Sequence, residues 1–371
     1  MKYNIRFIKP DLPDGEEIQA DYRAIQQNNW YTNFGPYEQK FRAGIEGYVG
    51  HDLFAVTVSS ATSGLILAIK NLFPAPIEGK RKVIIPSFTF VAGASSLVLL
   101  GYEPVFVDID RDTLQPDVTA AKHYLENTKN RDQVCGVLLC NTFGVGNPQI
   151  NDWEVLSGEF ELPLIIDSAA GFGSRYEDDS KVGIKGDCEV FSFHATKPFA
   201  IGEGGAIVCS DENLATKLQR DTNFGFNEKS EAQSLGINAK LSELSAAIGV
   251  RQLKLIDERL TKRQSVLAMY KDALRPLGFN FQPNDQRSSV GFVSCMADNP
   301  ELASNFIRRL NEERIQYRNY YSPPIHKHKP FVGYEHLSNL SITEEVCSKI
   351  FSLPAHGDVT QEVVDRIAIG L

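Results

Sequence analysis

Seven short apolar runs, most of them rich in β-branched residues and separated by helix-like stretches, lie between Phe54 and Val208 and constrain the fold more than any other feature of the chain. They occupy 54–58, 83–85, 104–107, 134–139, 164–166, 190–193 and 206–208. Alternation of this kind predicts a mainly parallel, seven-stranded sheet covered by helices on both faces. Ligands in such sheets gather at the carboxyl ends of the strands. No GxGxxG follows the first run, and Gly202-Glu203-Gly204-Gly205 has a different spacing, which argues against a dinucleotide-binding enzyme.

Further along, 240–274 reads as one long helix with an apolar stripe of Leu241, Leu244, Ile248, Leu253, Leu255 and Ile256. After Pro276, strand-like runs at 278–281 and 290–295, a helical pattern at 302–310 and a closing helix from Thr360 predict a small α/β unit. The polar stretch 282–289 reads as a surface connection. A chain of 371 residues accommodates a large domain at 1–250, followed by a linking helix and small C-terminal domain at 251–371.

Hydrophobic residues at 42% and charged residues at 23% exclude a disordered or fibrous chain. A net charge of -9 without a basic stripe excludes general nucleic-acid binding, yet it permits an anionic small substrate held by local cations and helix N-termini. The acidic N-terminal stretch lacks the zones of a secretory signal, and no run of about 18 apolar residues occurs, so a soluble, cytoplasmic protein without a membrane partner is expected. Six scattered cysteines with no CxxC pair read as reduced, mostly buried small hydrophobes, and no metal site is indicated.

The candidate chemistry centres on Lys197, in Ser192-Phe-His194-Ala-Thr-Lys197-Pro-Phe-Ala-Ile-Gly202. A lysine between aromatic and glycine-rich walls can be desolvated enough to act as an amine nucleophile. Taken alone it would pass for a surface lysine; three neighbours change that. Asp167 ends an apolar strand thirty residues earlier, where a carboxylate can hold a proton on the pyridine nitrogen of pyridoxal 5′-phosphate (PLP), a helix cap being the plainer alternative. Val58-Ser59-Ser60-Ala61-Thr62-Ser63-Gly64 runs from strand to helix through hydroxyl residues, the pattern of a phosphate cradle, to which Ser192 can add a hydroxyl. Phe88 and Phe90 follow another strand, where one ring can stack on a planar ring and the other pack in the core.

These stretches, together with 29–36, 104–108, Asp167-Ser-Ala-Ala170, Gly236-Ile-Asn238 onward and Phe351-Ser-Leu-Pro354, resemble the DegT/StrS family of PLP-dependent nucleotide-sugar aminotransferases over nearly the whole chain. The resemblance implies the PLP-dependent transferase fold type I. It implies that Lys197 carries the cofactor as a Schiff base and shuttles protons, with Asp167 on the pyridine nitrogen, Ser60, Ala61, Thr62 and Ser192 around the phosphate and Phe90 against the ring. It further implies that Asn238 reaches the phosphate of the neighbouring subunit, hence a homodimer with shared active sites. The implied reaction moves an amino group from L-glutamate, leaving 2-oxoglutarate, to a nucleotide-linked keto sugar, most often a 4-keto-6-deoxy sugar, for surface-polysaccharide (O-antigen) or related amino-sugar biosynthesis.

Ala170 departs from the pattern, since many members carry glutamine there. Trp30, Thr32, His194, His326 and Lys329 are candidate substrate contacts, with a packed, hydrogen-bonded histidine the slightly better explanation of His194 and a solvated loop explaining His326 and Lys329 as well. Two alternatives stay open: a sugar dehydratase, against which the lysine at 197 speaks because those enzymes carry histidine there, and a non-catalytic dimeric regulator.

Overall fold

A computed structural model describes residues 3–77 and 79–371, so the first two residues of the expected 1–250 domain, and Glu78, lie outside the described residues. The strands β1 (Phe54–Val58), β2 (Lys82–Pro86), β3 (Glu103–Val107), β4 (Val134–Cys140), β5 (Leu164–Asp167), β6 (Cys188–Ser192) and β7 (Gly205–Cys209) form one sheet in the order β1-β7-β6-β5-β4-β2-β3. The neighbours from β3 to β6 pair in parallel, whereas β7 runs antiparallel to both β1 and β6. Every residue of β4, β5, β6 and β7 is buried, which is why these strands read as unbroken apolar runs rather than alternating ones.

Two cores flank this sheet, and successive strand residues enter them alternately. Ile84, Val137, Leu139 and Ile166 meet the helices α2 (Pro36–Val49), α5 (Val118–Asn127) and α6 (Ile150–Glu159) through Phe41, Leu125 and Trp153. Val83, Ile85, Leu138 and Ile165 meet α3 (Ala61–Leu72), α4 (Ala92–Leu99) and α7 (Glu212–Asp221) through Leu65, Leu97 and Leu218. A further helix, α1 (Gly15–Asn28), is closed by a capping box between Asp14 and Glu17.

The expected single helix over 240–274 is two: α8 (Glu243–Leu253) and α9 (Ile256–Leu274). Its apolar stripe cannot stay on one face, because Leu253, Leu255 and Ile256 crowd together; Ile256 is buried while Leu255 remains exposed. Lys254 N–H and Leu255 N–H bond to Arg251 O and Gln252 O, tightening the end of α8 before α9 starts in a new direction.

A second, antiparallel sheet contains β8 (Phe279–Phe281), β9 (Val293–Ala297) and β10 (Ile350–Leu353), in the order β10-β9-β8. It packs with α9, α10 (Pro300–Glu312) and α12 (Gln361–Ala368) around Tyr270, Phe306, Leu310 and Ile367, while α11 (Ser341–Lys349) is capped from the large sheet by Asp108, which accepts from Ile342 N–H and Thr343 N–H. The stretch 282–289 corrects the expectation of a surface connection. Gln282, Asp285, Ser288 and Ser289 are buried, and most of their polar atoms have specific partners: Lys271 pairs with Asp285, Gln282 Nε2 donates to Thr113 O at 3.0 Å, and Ser289 Oγ donates to Ala170 O at 2.7 Å, with Gln282 Oε1 left without a donor among the described residues.

The N-terminal segment runs along this second unit. Asn4 N–H donates to Arg314 O and Gln316 N–H to Ile5 O, both at 2.9 Å. All six cysteines are buried and free, as expected. No helix among the described residues is long and apolar enough to cross a membrane.

Candidate active site

The carboxyl ends of β1, β4, β5 and β6 open onto a cavity of about 460 Å³. Lys197, Asp167, Ser60, Ala61, Thr62, Phe90, Ser192 and His194 all line it, so residues spread over 138 positions of sequence converge on one space.

Beyond Ser192 the chain folds back toward β7. Phe193 N–H bonds to Gly204 O and Ala195 N–H to Gly202 O, with Gly202 at a φ of +95°, which glycine adopts without strain. Lys197 projects from this turn, its own N–H donating to His194 O at 2.9 Å. Desolvation in the cavity wall holds the Lys197 ammonium below the usual lysine range, although Asp167 and Cys140 pull the other way. A neutral amine is therefore more accessible here than on the surface.

Burial also raises the Asp167 carboxyl, against the Ala169 N–H and the Lys197 charge, which lower it. Its Oδ1 accepts from Ala169 N–H at 3.0 Å; among the described residues no donor reaches Oδ2. Asp167 and Lys197 feel each other's charge without forming an ion pair, which leaves room between them.

At the start of α3, Ser60 caps the helix by accepting from Ser63 N–H at 3.1 Å, and Ser63 Oγ accepts from Ser60 N–H at 3.1 Å. The hydroxyl cluster is thus a capping box. It leaves the N–H groups of Ala61 and Thr62 without acceptors among the described residues, at the positive end of the helix dipole. Phe90 borders the cavity with 57% of its surface exposed, while Phe88 is buried edge-on against Phe143 and Tyr321.

The other candidates lie elsewhere. Trp30, Thr32, Asn238 and Lys329 are exposed and outside the cavity. His326 is buried, with Nδ1 2.5 Å from Ser87 Oγ and Nε2 3.1 Å from Glu344, so both ring nitrogens are engaged away from the cavity; a histidine in that loop joins two segments of the interior instead of facing a substrate. Conversely, Phe7, Ile8, Cys140, Asn141, Phe292, Tyr320 and Tyr321 line the cavity and were not singled out from the sequence. Cys140 and Asn141 were within reach of strand logic, since they end and follow β4; the others arrive from the second unit and from the N-terminal segment that runs along it, which no local pattern announces.

Free N–H groups for a phosphate, an aspartate oxygen without a donor, a desolvated lysine and an exposed aromatic ring around one cavity fit PLP. Fold and site define a PLP-dependent aminotransferase of fold type I. Residues 13–371 match the DegT/DnrJ/EryC1/StrS aminotransferase family, and the chain belongs to it. It is 43% identical over 366 residues to Protein Rv3402c of Mycobacterium tuberculosis, covering 98% of this chain and 88% of that one. It is 30% identical to a dTDP-4-amino-4,6-dideoxy-D-glucose transaminase of Shigella dysenteriae, covering 99% and 98%. The crystal structure of DesI in the presence of its TDP-sugar product superposes with a TM-score of 0.87 at 28% identity, covering 99% and 92%.

Proposed function

We propose that this enzyme transfers the amino group of L-glutamate to a nucleotide-linked keto sugar, a 4-keto-6-deoxy sugar being the first choice, in the cytoplasm and for surface-polysaccharide or related amino-sugar synthesis. The observation that carries the reading is the placement of Lys197 and Asp167 on one cavity without ion-pair contact. The Shigella dysenteriae relative's dTDP-sugar substrate and the TDP-sugar in the DesI structure support the substrate class.

PLP, when bound, supplies an electrophilic carbon for the Lys197 amine and a ring that accepts electrons from the bond being broken. Asp167 Oδ2 holds the proton on the pyridine nitrogen. The Ala61 and Thr62 N–H groups, with the Ser192 hydroxyl, bind the phosphate, and Phe90 covers a ring face. Lys197 Nζ takes the proton from the α-carbon of glutamate and delivers one to the sugar carbon that receives nitrogen. His194, with Nδ1 2.8 Å from Thr196 Oγ1 and Nε2 3.4 Å from Glu203, meets the sugar at the cavity wall.

A second cleft of about 470 Å³, lined by Tyr3, Gln316, Tyr317, Arg318 and Asn319, shares Tyr320 with the first. Among the described residues Arg318 has no ion-pair partner; its guanidinium sits 5.7 Å from the ring of Phe7, which lines the cavity. In this reading the diphosphate meets Arg318 and the base stacks on Tyr3 or Tyr317.

The same reading divides the chain near residue 250 and makes it a homodimer with shared sites. Leu235 at 85% exposed, with Phe224 and Phe226 nearby, gives the segment before Asn238 an apolar surface that suits a partner subunit. Incubation with glutamate and a panel of dTDP-, UDP- and GDP-linked keto sugars, followed by mass spectrometry, tests the assignment: an amino sugar and 2-oxoglutarate are expected, and the absence of product from every sugar overturns it.

A further inference from the structure

Behind the cavity lies a carboxylate that the chemistry above does not use. Glu189, within β6, is fully buried and makes no ion pair among the described residues, yet five donors converge on it. Its Oε1 accepts from Gly183 N–H at 2.7 Å, Tyr176 OH at 2.9 Å and Lys185 N–H at 3.1 Å. Its Oε2 accepts a short bond from Ser168 Oγ and a longer one from Asn141 Nδ2 at 3.4 Å. An interior anion without a counter-ion is tolerated only when hydrogen bonds replace its water. Burial still pushes the Glu189 carboxyl up to about 6.

Two of these donors connect Glu189 to the reactive cavity. Asn141 lines it, donates from Nδ2 to Ser168 Oγ at 2.9 Å and from its backbone to Asp167 O at 3.1 Å. Ser168 directly follows Asp167, and the next N–H, that of Ala169, is the group bonded to Asp167 Oδ1. The contacts form a relay: Glu189 fixes the Ser168 side chain, Ser168 fixes the peptide leading to Ala169, and that N–H turns the Asp167 carboxylate so that Oδ2 is left free. Ala170 brings no polar side chain to this edge of the cavity, so orientation there depends on the relay.

We propose that Glu189 is a positioning residue of the reaction, acting through Ser168 to set the orientation of Asp167 against the pyridine nitrogen of the cofactor. This needs PLP binding alone and does not rest on the sugar assignment.

The test uses Glu189→Gln, Ser168→Ala, their double variant, and Glu189→Gln in an Asp167→Asn background, all loaded with PLP. The readouts are the pH midpoint of the visible absorbance of the Lys197-bound cofactor, the PLP dissociation constant of the apo-protein and the melting temperature. Each single variant is expected to shift the midpoint by about half a unit or more and to weaken PLP about tenfold, while the double variant shifts it no further than either single one. Glu189→Gln should have no effect on the midpoint when Asp167 is already asparagine. A purely structural glutamate would lower the melting temperature and leave the midpoint in place; that result, or additive shifts in the double variant, overturns the proposal. Should Glu189→Gln fail to fold, Ser168→Ala decides alone, since it leaves Glu189 its other four donors: an unchanged midpoint overturns the relay and a shifted one supports it.

Discussion

Gly205 lies so close beneath the first turn of α3 that a Cβ on it would sit 3.0 Å from Ala61 N and 2.5 Å from Phe191 O. The second of these atoms is strand backbone and cannot yield, so a side chain there must push the helix start away. Gly205→Ala is therefore expected to weaken PLP binding at least about tenfold and to cost roughly 1–3 kcal/mol of stability through overpacking. Fluorescence titration of the apo-protein with PLP measures the first effect; unaltered affinity would show that the Ala61 and Thr62 N–H groups do not hold the phosphate.

Lys197→Ala should give a folded protein that lacks the absorbance of lysine-bound cofactor and has no measurable turnover. Asp167→Asn should keep PLP yet slow both half-reactions by roughly 10²–10³, the usual cost of removing one preorganised electrostatic partner. Stopped-flow spectra with glutamate alone, then with the sugar, separate the halves; wild-type rates in the asparagine variant contradict the role given to Oδ2.

His326 carries a pH prediction. Burial depresses its imidazole below the usual histidine value, outweighing the favourable Glu344 contact, with His336 and Lys327 adding to the depression. The neutral ring is the form the fold prefers, so the unfolded chain takes up the proton first as pH drops. Stability from His326 is thus present above about pH 6.5 and lost as pH falls through the depressed folded value. His326→Ala should cost about 1–3 kcal/mol at pH 7.5, for the buried Ser87 hydroxyl left without its partner, and the gap from wild type should narrow toward pH 5 in thermal melts. KM for the sugar is expected to stay within error.

Arg318→Ala, in contrast, should raise KM for the nucleotide sugar about tenfold and leave the glutamate half-reaction unchanged, because the amino donor carries no diphosphate. Inhibition by the free nucleoside diphosphate should weaken in parallel. A loss shared equally by both half-reactions would remove the second cleft from the substrate path.

The large sheet was legible almost residue by residue, since β1 to β7 are buried on both faces and bounded by turn-forming residues, and the chemical groups at their ends could be named without the fold. Phe292, Tyr320 and Tyr321 were not, because nothing local distinguishes an aromatic that walls a cavity from one that fills a core; only the docking of β9 and the residues before Pro323 against the large sheet decides it. The relay at Glu189 was hidden for a related reason. A lone acid inside a strand reads as an edge or an error until its five donors, drawn from three separate segments and the residue that follows β5, are seen together. Position 282–289 misled by composition, its polarity being spent inward.

The pairing of Ile5 with Ile315, and the contact of Phe7 with Tyr320 at 5.8 Å between ring centroids, bear on how the enzyme is made. Phe7 and Ile8 are synthesised before the large sheet, but the backbone that holds them follows more than 300 residues later. A nascent chain can assemble the large sheet, and even expose Lys197, while one wall of its cavity is still missing. The cavity is therefore fully walled only once the segment around Ile315 and Tyr320 has been made and has docked against Ile5 and Phe7.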